Sequence, residues 1–274
     1  MKRIPKIVHM YWDGTPMSKL QTFTVTSFCR LNPDWKVIVH LDKLRYRGNN
    51  KYIPSYVRED YFHIVKDNKQ VNIDEVNLSD YGVSGDLHPI LRSDILRYHW
   101  LYNEGGVWSD FDVIWLKPIH YLSTIAGTDS FGVTLCMYDG KKKHHNVSVL
   151  VSSKGHEFYR YAIYLCNEIK NKITENPDHQ EFGNSIFNKA FPKPEDALSK
   201  FPDMINLKYE TFFPYSIFNM DALYLSTDLT YITDSVIGVH WFNGHKYSKD
   251  YVNNNGFSRD CSMTEIIKNE GYND

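Results

Sequence analysis

Two short apolar runs near the start constrain the fold most. Residues 4–12, IPKIVHMYW, and 35–40, WKVIVH, show little alternation between polar and apolar positions. Runs of this kind are strands buried on both faces. Between them, Asp13-Gly14 and Pro16 make a turn. Leu20, Phe23, Ser27 and Leu31 then recur at helical spacing over 18–31, until Asn32-Pro33 ends the helix. Strand, crossover helix and strand in this order argue for a parallel pair. The spacing therefore predicts an α/β fold on a mostly parallel sheet flanked by helices.

The next segment, 42–88, reads as an excursion from that sheet. It is polar, with Arg45, Arg47, Lys51, Arg58 and Lys66 among tyrosines, and short helices are expected over 54–65 and 72–78. Leu91, Ile95, Tyr98 and Tyr102 step by four, three and four, which predicts a helix over 89–103. Glu104-Gly105-Gly106 closes it. One strand is expected over 107–116, others at 131–137, 146–152 and 236–241, and helices at 155–171, 184–189 and 262–269. Pro192, Pro194 and Pro202 interrupt the chain between the last two groups. There is no internal repeat and no long linker, so residues 1–274 are expected to form one domain.

Composition narrows the function. Lys plus Arg number 31 and Asp plus Glu 33, a formal net charge of −2, which gives no reason to expect nucleic acid as a partner. With 20 Tyr, 15 Phe and 6 Trp, the chain holds enough aromatic surface to line a site for a nucleobase or sugar ring as well as a core. Cys29, Cys136, Cys166 and Cys261 are scattered and read as reduced thiols. The apolar run after Lys2 and Arg3 is too short for a signal peptide, and no stretch is long enough to span a membrane. A cytoplasmic location is expected, with peripheral membrane contact compatible with it, or a lumenal one if an anchor is removed. The sequence gives no oligomeric state.

The informative stretch is 93–112, SDILRYHWLYNEGGVWSDFD. On a strand, Asp110 and Asp112 point the same way and Phe111 and Val113 the other. Two carboxylates together repel unless solvent or a cation separates them. Beside phosphate oxygens such a pair holds Mg²⁺ or Mn²⁺. A solvent-exposed strand end would explain it equally. Asp94 and Arg97 share one helix face, either as a local ion pair or as a site for hydroxyls and phosphate or carbonyl oxygen.

The pattern S-D-x-x-R-Y, then Gly-Gly, then aromatic-x-D-x-D resembles the sugar-nucleotide region of DXD-containing glycosyltransferases. It is most similar to the OCH1-like group, glycosyltransferase family 32, and similar also to the glucosylating domain of clostridial toxins. IPKIVHMYWDG and NPDWKVIVH resemble the family's opening, and FFPYSIF and GVHWFNGHKYS its late segments. The resemblance implies a Rossmann-like fold of the GT-A type. It implies that Trp12 lies by the base, that Asp94 and Arg97 hold ribose or donor-sugar hydroxyls, and that Trp108 packs by the donor. Asp112 would ligate the metal, with Asp110 on ribose or a metal-bound water. His240 would approach metal and diphosphate in a loop over 236–252, with Gly244 and Lys246 on phosphate. His245 competes with His240, and His9 reads as a core group. The family's Ser-Trp after the late His is here Ser248-Lys249, and 178–184 has no counterpart in the resemblance.

The implied activity is metal-dependent, retaining transfer of a hexose from a sugar nucleotide to a glycan, glycolipid or glycosylated protein. UDP-galactose or UDP-glucose is favoured over GDP-mannose, with Mn²⁺ or Mg²⁺ as cofactor. A non-catalytic sugar-nucleotide or glycan-binding homologue, and a metal-dependent hydrolase, are the alternatives. No G-x-x-x-x-G-K loop supports ATPase chemistry.

Overall fold

Strand, helix and strand open the chain in the computed structural model, which describes residues 4–42, 59–126, 133–137, 145–171 and 178–271. Ile7–Trp12 (β1) runs parallel to Lys36–Asp42 (β2), with Ile7 opposite Lys36 and Trp12 opposite Leu41. Lys19–Leu31 (α1) crosses between them. The Ser18 hydroxyl accepts from the Gln21 N–H, and the Gln21 side chain accepts from the Ser18 N–H, a reciprocal cap that fixes where α1 starts.

The short helix Phe62–Lys66 (α2) leads into Val71–Val76 (β3), which pairs in parallel with β2 as the sheet edge. A helix over 72–78 is therefore incorrect, and the excursion rejoins the sheet. Val71, Ile73 and the ladder to β2 outweigh the polar residues between them, because an edge strand has one unpaired side to fill with polar groups. Residues 43–58, and with them the first part of the helix expected over 54–65, lie outside the described residues, and the described remainder is helical only from Phe62.

Pro89–Asn103 (α3) matches its predicted bounds. The chain then turns through Gly105 and Gly106 at φ 74° and 97° into Gly106–Ser109 (β4), parallel to β1. A Cβ on Gly106 would stand 2.3 Å from the Ile7 carbonyl oxygen, so the approach of β4 to β1 requires glycine. The single strand expected over 107–116 is two strands. β4 pairs with Val149–Ser152 (β8), whereas Val113–Trp115 (β5) pairs with Gly238–His240 (β10) in a separate two-stranded sheet. The chain changes sheets at 110–112, and the two aspartates sit on that corner.

Tyr121–Ala126 (α4) follows. Val133–Met137 (β6), His145–Asn146 (β7) and Met204–Leu207 (β9) complete the main sheet in the order β3-β2-β1-β4-β8-β6-β7, with β9 on β6. The first strands and the β6–β9 pair share one direction; β8 and β7 oppose it, leaving the sheet mostly parallel. Glu157–Lys170 (α5), Asn184–Ala190 (α6) and Pro194–Lys200 (α7) pack with α3 on one face. Pro194 is tolerated because it lies in the first turn of α7. α1 covers the other face. Met220–Tyr224 (α8), Lys246–Asn253 (α9) and Ser262–Asn269 (α10) surround Trp241. The loop expected over 236–252 is thus a strand followed by a capped helix. Cys29, Cys166 and Cys261 are buried free thiols. Among the described residues no helix is long and apolar enough to cross a membrane.

Candidate functional site

The corner between the two sheets builds the site. Thr24 of α1 donates its hydroxyl to the Phe111 carbonyl (2.9 Å), and the Asp110 N–H bonds to the Ser148 carbonyl (2.8 Å). The Trp241 N–H closes on the Asp112 carbonyl at 2.9 Å. The corner is therefore held from α1, from the β7–β8 connection and from the end of β10.

β10 lays His240 opposite Val113, which brings His240 Nε2 to 3.1 Å from Asp112 Oδ1. Phe242 next adopts φ 51°, a conformation that costs a β-carbon residue about 1 kcal/mol. The backbone beyond it then donates the Asn243 N–H to Asp112 Oδ2 at 3.0 Å. Asp110, Asp112 and His240 each offer a ligand atom within 4.8 Å of the others. His240 Nδ1 is buried and has no hydrogen-bond partner among the described residues.

The electrostatics suit a cation. Burial works against the charged form of Asp112, but the His240 imidazole and the Asn243 N–H outweigh it and hold the carboxyl below its ordinary range. Burial raises Asp110; the Arg97 guanidinium opposes this and the Asp112 charge adds to it. Two carboxylates and an imidazole are a hard, oxygen-rich donor set of the kind that takes Mg²⁺ or Mn²⁺. These residues fit such an ion, and a positive charge there would relieve the repulsion between the aspartates.

Arg97 is buried one turn along α3 from Asp94 and pairs with it at 2.7 Å, while lying 3.3 Å from Asp110 Oδ1. Its Nη1 donates to the Val147 carbonyl at 2.5 Å, and its guanidinium lies 4.7 Å from the Trp108 ring. Trp108 in turn donates Nε1–H to Asp110 Oδ1 (2.8 Å). Burial pushes Asp94 up to about 7, against the pull of Arg97 and helped by the Asp110 charge. Asp94, Arg97, Trp108 and Asp110 thus form one connected network.

A cavity of about 500 Å³ opens over this network, lined by Trp12, Arg97, Asp110, Asp112 and Gly244 among others. Trp12 packs edge-on against Phe111 and donates Nε1–H to the Thr15 carbonyl. Tyr11, also on the wall, donates to Asp42 at 2.6 Å, and Asp42 pairs with the fully buried Arg92. Asp94 and Trp108 lie behind the lining rather than in it. Lys246 is exposed at the start of α9 and outside the cavity, whereas Lys249, one turn further on, lines it. His245 caps α9, its Nδ1 accepting the Tyr247 N–H, and His9 is buried under the sheet.

Sequence reasoning did not find Asp13, Thr15, Gln21, His179, Asn243 or Lys249 on the cavity wall. Asp13 accepts from the Thr15 hydroxyl (2.7 Å), a local turn pattern legible in D-G-T. His179 comes from a distant loop and carries no local signal.

Residues 18–131 match the sequence profile described as the glycosyltransferase sugar-binding region containing the DXD motif. No curated protein sequence matches the chain significantly. Among solved structures, the chain is similar to the galactosyltransferase LgtC in complex with donor and acceptor sugar analogues. That match has 13% identity and a TM-score of 0.50 and covers 97% of this chain and 95% of that one. An active-site mutant of LgtC matches at 16% identity and 0.50, covering 96% and 95%. The PaToxG glycosyltransferase matches at 17% and 0.49, covering 73% and 75%. The fold is the α/β Rossmann-like architecture of GT-A proteins, with the DXD aspartates on its sheet corner.

Proposed function

We propose that this protein is a metal-dependent glycosyltransferase that moves a hexose from a nucleotide-diphospho-sugar to a hydroxyl of a glycan, glycolipid or glycosylated protein. The observation that carries the reading is the convergence of Asp110, Asp112 and His240 beside a cavity that Asp110, Asp112, Arg97 and Trp12 line. Within the DXD class we place it with the OCH1-like, family 32 enzymes, on the motif from Ser93 to Asp112.

In this reading Asp110, Asp112 and His240 hold the ion, Mn²⁺ in preference to Mg²⁺. When bound, the ion supplies electrostatic stabilisation of charge building on the leaving diphosphate. Arg97 neutralises Asp110 and presents its planar fork toward donor oxygens. Asp94, behind the cavity wall, aligns Arg97 toward the donor hydroxyls. Trp12 offers a ring to the base, Trp108 orients Asp110 from behind, and Gly244 with Lys249 or Lys246 approaches the phosphates. The acceptor oxygen bonds to the anomeric carbon as the bond to the phosphate oxygen breaks. Attack comes from the face the diphosphate leaves, the leaving phosphate takes the acceptor proton, and configuration is retained. UDP-galactose and UDP-glucose are the preferred donors, ahead of GDP-mannose.

The deciding experiment is a screen of sugar nucleotides with Mn²⁺, read as slow donor hydrolysis in the absence of acceptor. Hydrolysis of one donor that stops on chelation supports the reading. Binding of UDP and Mn²⁺ without turnover of any donor, or transfer to any acceptor preparation, identifies a non-catalytic binding protein instead.

A further inference from the structure

We infer that Gly183 is a positioning residue for Asp94, and that the turn 178–183 forms a wall of the site only because position 183 has no side chain. A Cβ built on Gly183 would stand 2.8 Å from Asp94 Oδ2, 3.2 Å from Cγ and 3.3 Å from Oδ1. All three atoms belong to one short carboxylate that is already paired with Arg97, so it cannot swing aside without breaking that pair. The glycine backbone therefore packs directly on the acid and limits the orientations left to it.

The turn is held rigidly in that place. Asp94 and Tyr98 are one helical turn apart on α3. The Tyr98 hydroxyl donates to the Phe182 carbonyl at 2.9 Å, and the Phe182 ring is fully buried. Within the turn, the Gln180 N–H bonds to Asp178 Oδ1 (2.8 Å), and the Gln180 carbonyl accepts from Gly183 and Ser185 (3.0 and 3.2 Å). One end of this turn thus lies against Asp94 while the other carries His179 to the cavity lining. Pushing residue 183 outward by a methyl would move both: Asp94 off Arg97, and His179 relative to the DXD corner.

The functional half of this inference rests on the glycosyltransferase reading, in which Asp94 acts on the donor sugar through Arg97. Gly183→Ala should lower kcat/KM for Mn²⁺-dependent hydrolysis of the donor by about tenfold or more, the scale of one misplaced transition-state contact. Binding of UDP with Mn²⁺, measured by calorimetry, should stay within about twofold of wild type, because those groups touch Asp110 and Asp112 instead. A purely structural glycine would move the unfolding temperature without this split.

Thermal unfolding of Gly183→Ala, Asp94→Ala and the double variant supplies the second arm. Removing the carboxylate makes room for the methyl, so the loss caused by Gly183→Ala should shrink in the Asp94→Ala background. Additive unfolding shifts, wild-type turnover by Gly183→Ala, or an equal loss of UDP and Mn²⁺ binding would each overturn the inference. Absence of turnover in the wild type would instead sink the functional reading, since the unfolding cycle is read without any activity.

Discussion

His240 Nε2 lies 3.1 Å from Asp112 Oδ1 because His240 sits opposite Val113 in the β10–β5 ladder. The late histidine and the second DXD aspartate are thus joined by backbone pairing rather than by a mobile loop. A pair of candidate ligands fixed in this way would need little reorganisation to receive an ion.

Asp112→Ala should abolish most metal-dependent donor hydrolysis, by about 10²–10³-fold, the range seen when one preorganised charge-stabilising group is removed. Asp112 and Asn243 line the cavity, but His240 is buried and loses its Nε2 partner at a cost of about 1–3 kcal/mol, so the unfolding temperature should fall by several degrees. Metal affinity measured with UDP should fall in parallel. Full activity in the chelated variant would remove the metal from the mechanism.

His240→Ala should weaken Mn²⁺ binding in the presence of UDP by about tenfold or more. His245→Ala should leave it unchanged and cost about 1 kcal/mol of stability, since His245 serves as a helix cap. A loss of metal affinity confined to the His245 variant would move the ligand to that position.

Arg97→Lys should raise donor KM and lower kcat even though the charge is kept. A lysine cannot meet Asp94, Asp110 and the Val147 carbonyl at once, as the guanidinium does. One buried carboxylate or carbonyl then loses its partner, at a cost of about 1–3 kcal/mol. Wild-type kinetics and unfolding together would reduce the pair to an ordinary helix ion pair.

His9 and His99 should cost the fold stability as the pH falls below about 6.5, against the opposite contribution of Asp94, whose carboxyl is raised to about 7 and takes up its proton first in the folded state. His9 Nε2 lies 3.0 Å from the Gly105 carbonyl and its Nδ1 lies 3.0 Å from His40 Nε2, and the ring is held down to about 3 by burial and by His40. His99 is lowered to about 4, by burial and then by Lys170. These folded values lie below the ordinary 6.5, so the unfolded chain takes up protons first as pH falls. Stability from each group is complete above about pH 6.5 and is lost from there towards pH 3–4, by up to about 1.4 kcal/mol per pH unit. In denaturant unfolding at pH 7, 6 and 5 the histidine contribution is the difference between wild type and His9→Asn, and the variant should lose less stability on acidification than wild type does. An identical slope in that variant would take His9 out of the linkage.

Much of this protein is determined by local pattern. The β1–α1–β2 unit, the exact span of α3, the α10 helix and the Asp94–Arg97 pair follow from periodicity and spacing, because each is a contact within one element or one crossover. The DXD spacing likewise brings two carboxylates together in the sequence alone, an arrangement that either solvent or a cation would satisfy. What only the tertiary structure decides are the places where two distant segments compete for the same backbone. Residues 71–76 become a strand because β2 offers an open edge. Residues 107–116 break in two because β8 claims one half and β10 the other, which turns Asp110 and Asp112 from neighbours on a strand face into the two sides of a corner. Lys249, not Lys246, lines the cavity because α9 begins at His245 and rotates its side chains by a helical turn. Gly183 reads as an ordinary turn glycine until α3 places Asp94 beneath it. Hydrogen-bond partners and close approaches across the chain are set by which surfaces meet, and no local spacing encodes that.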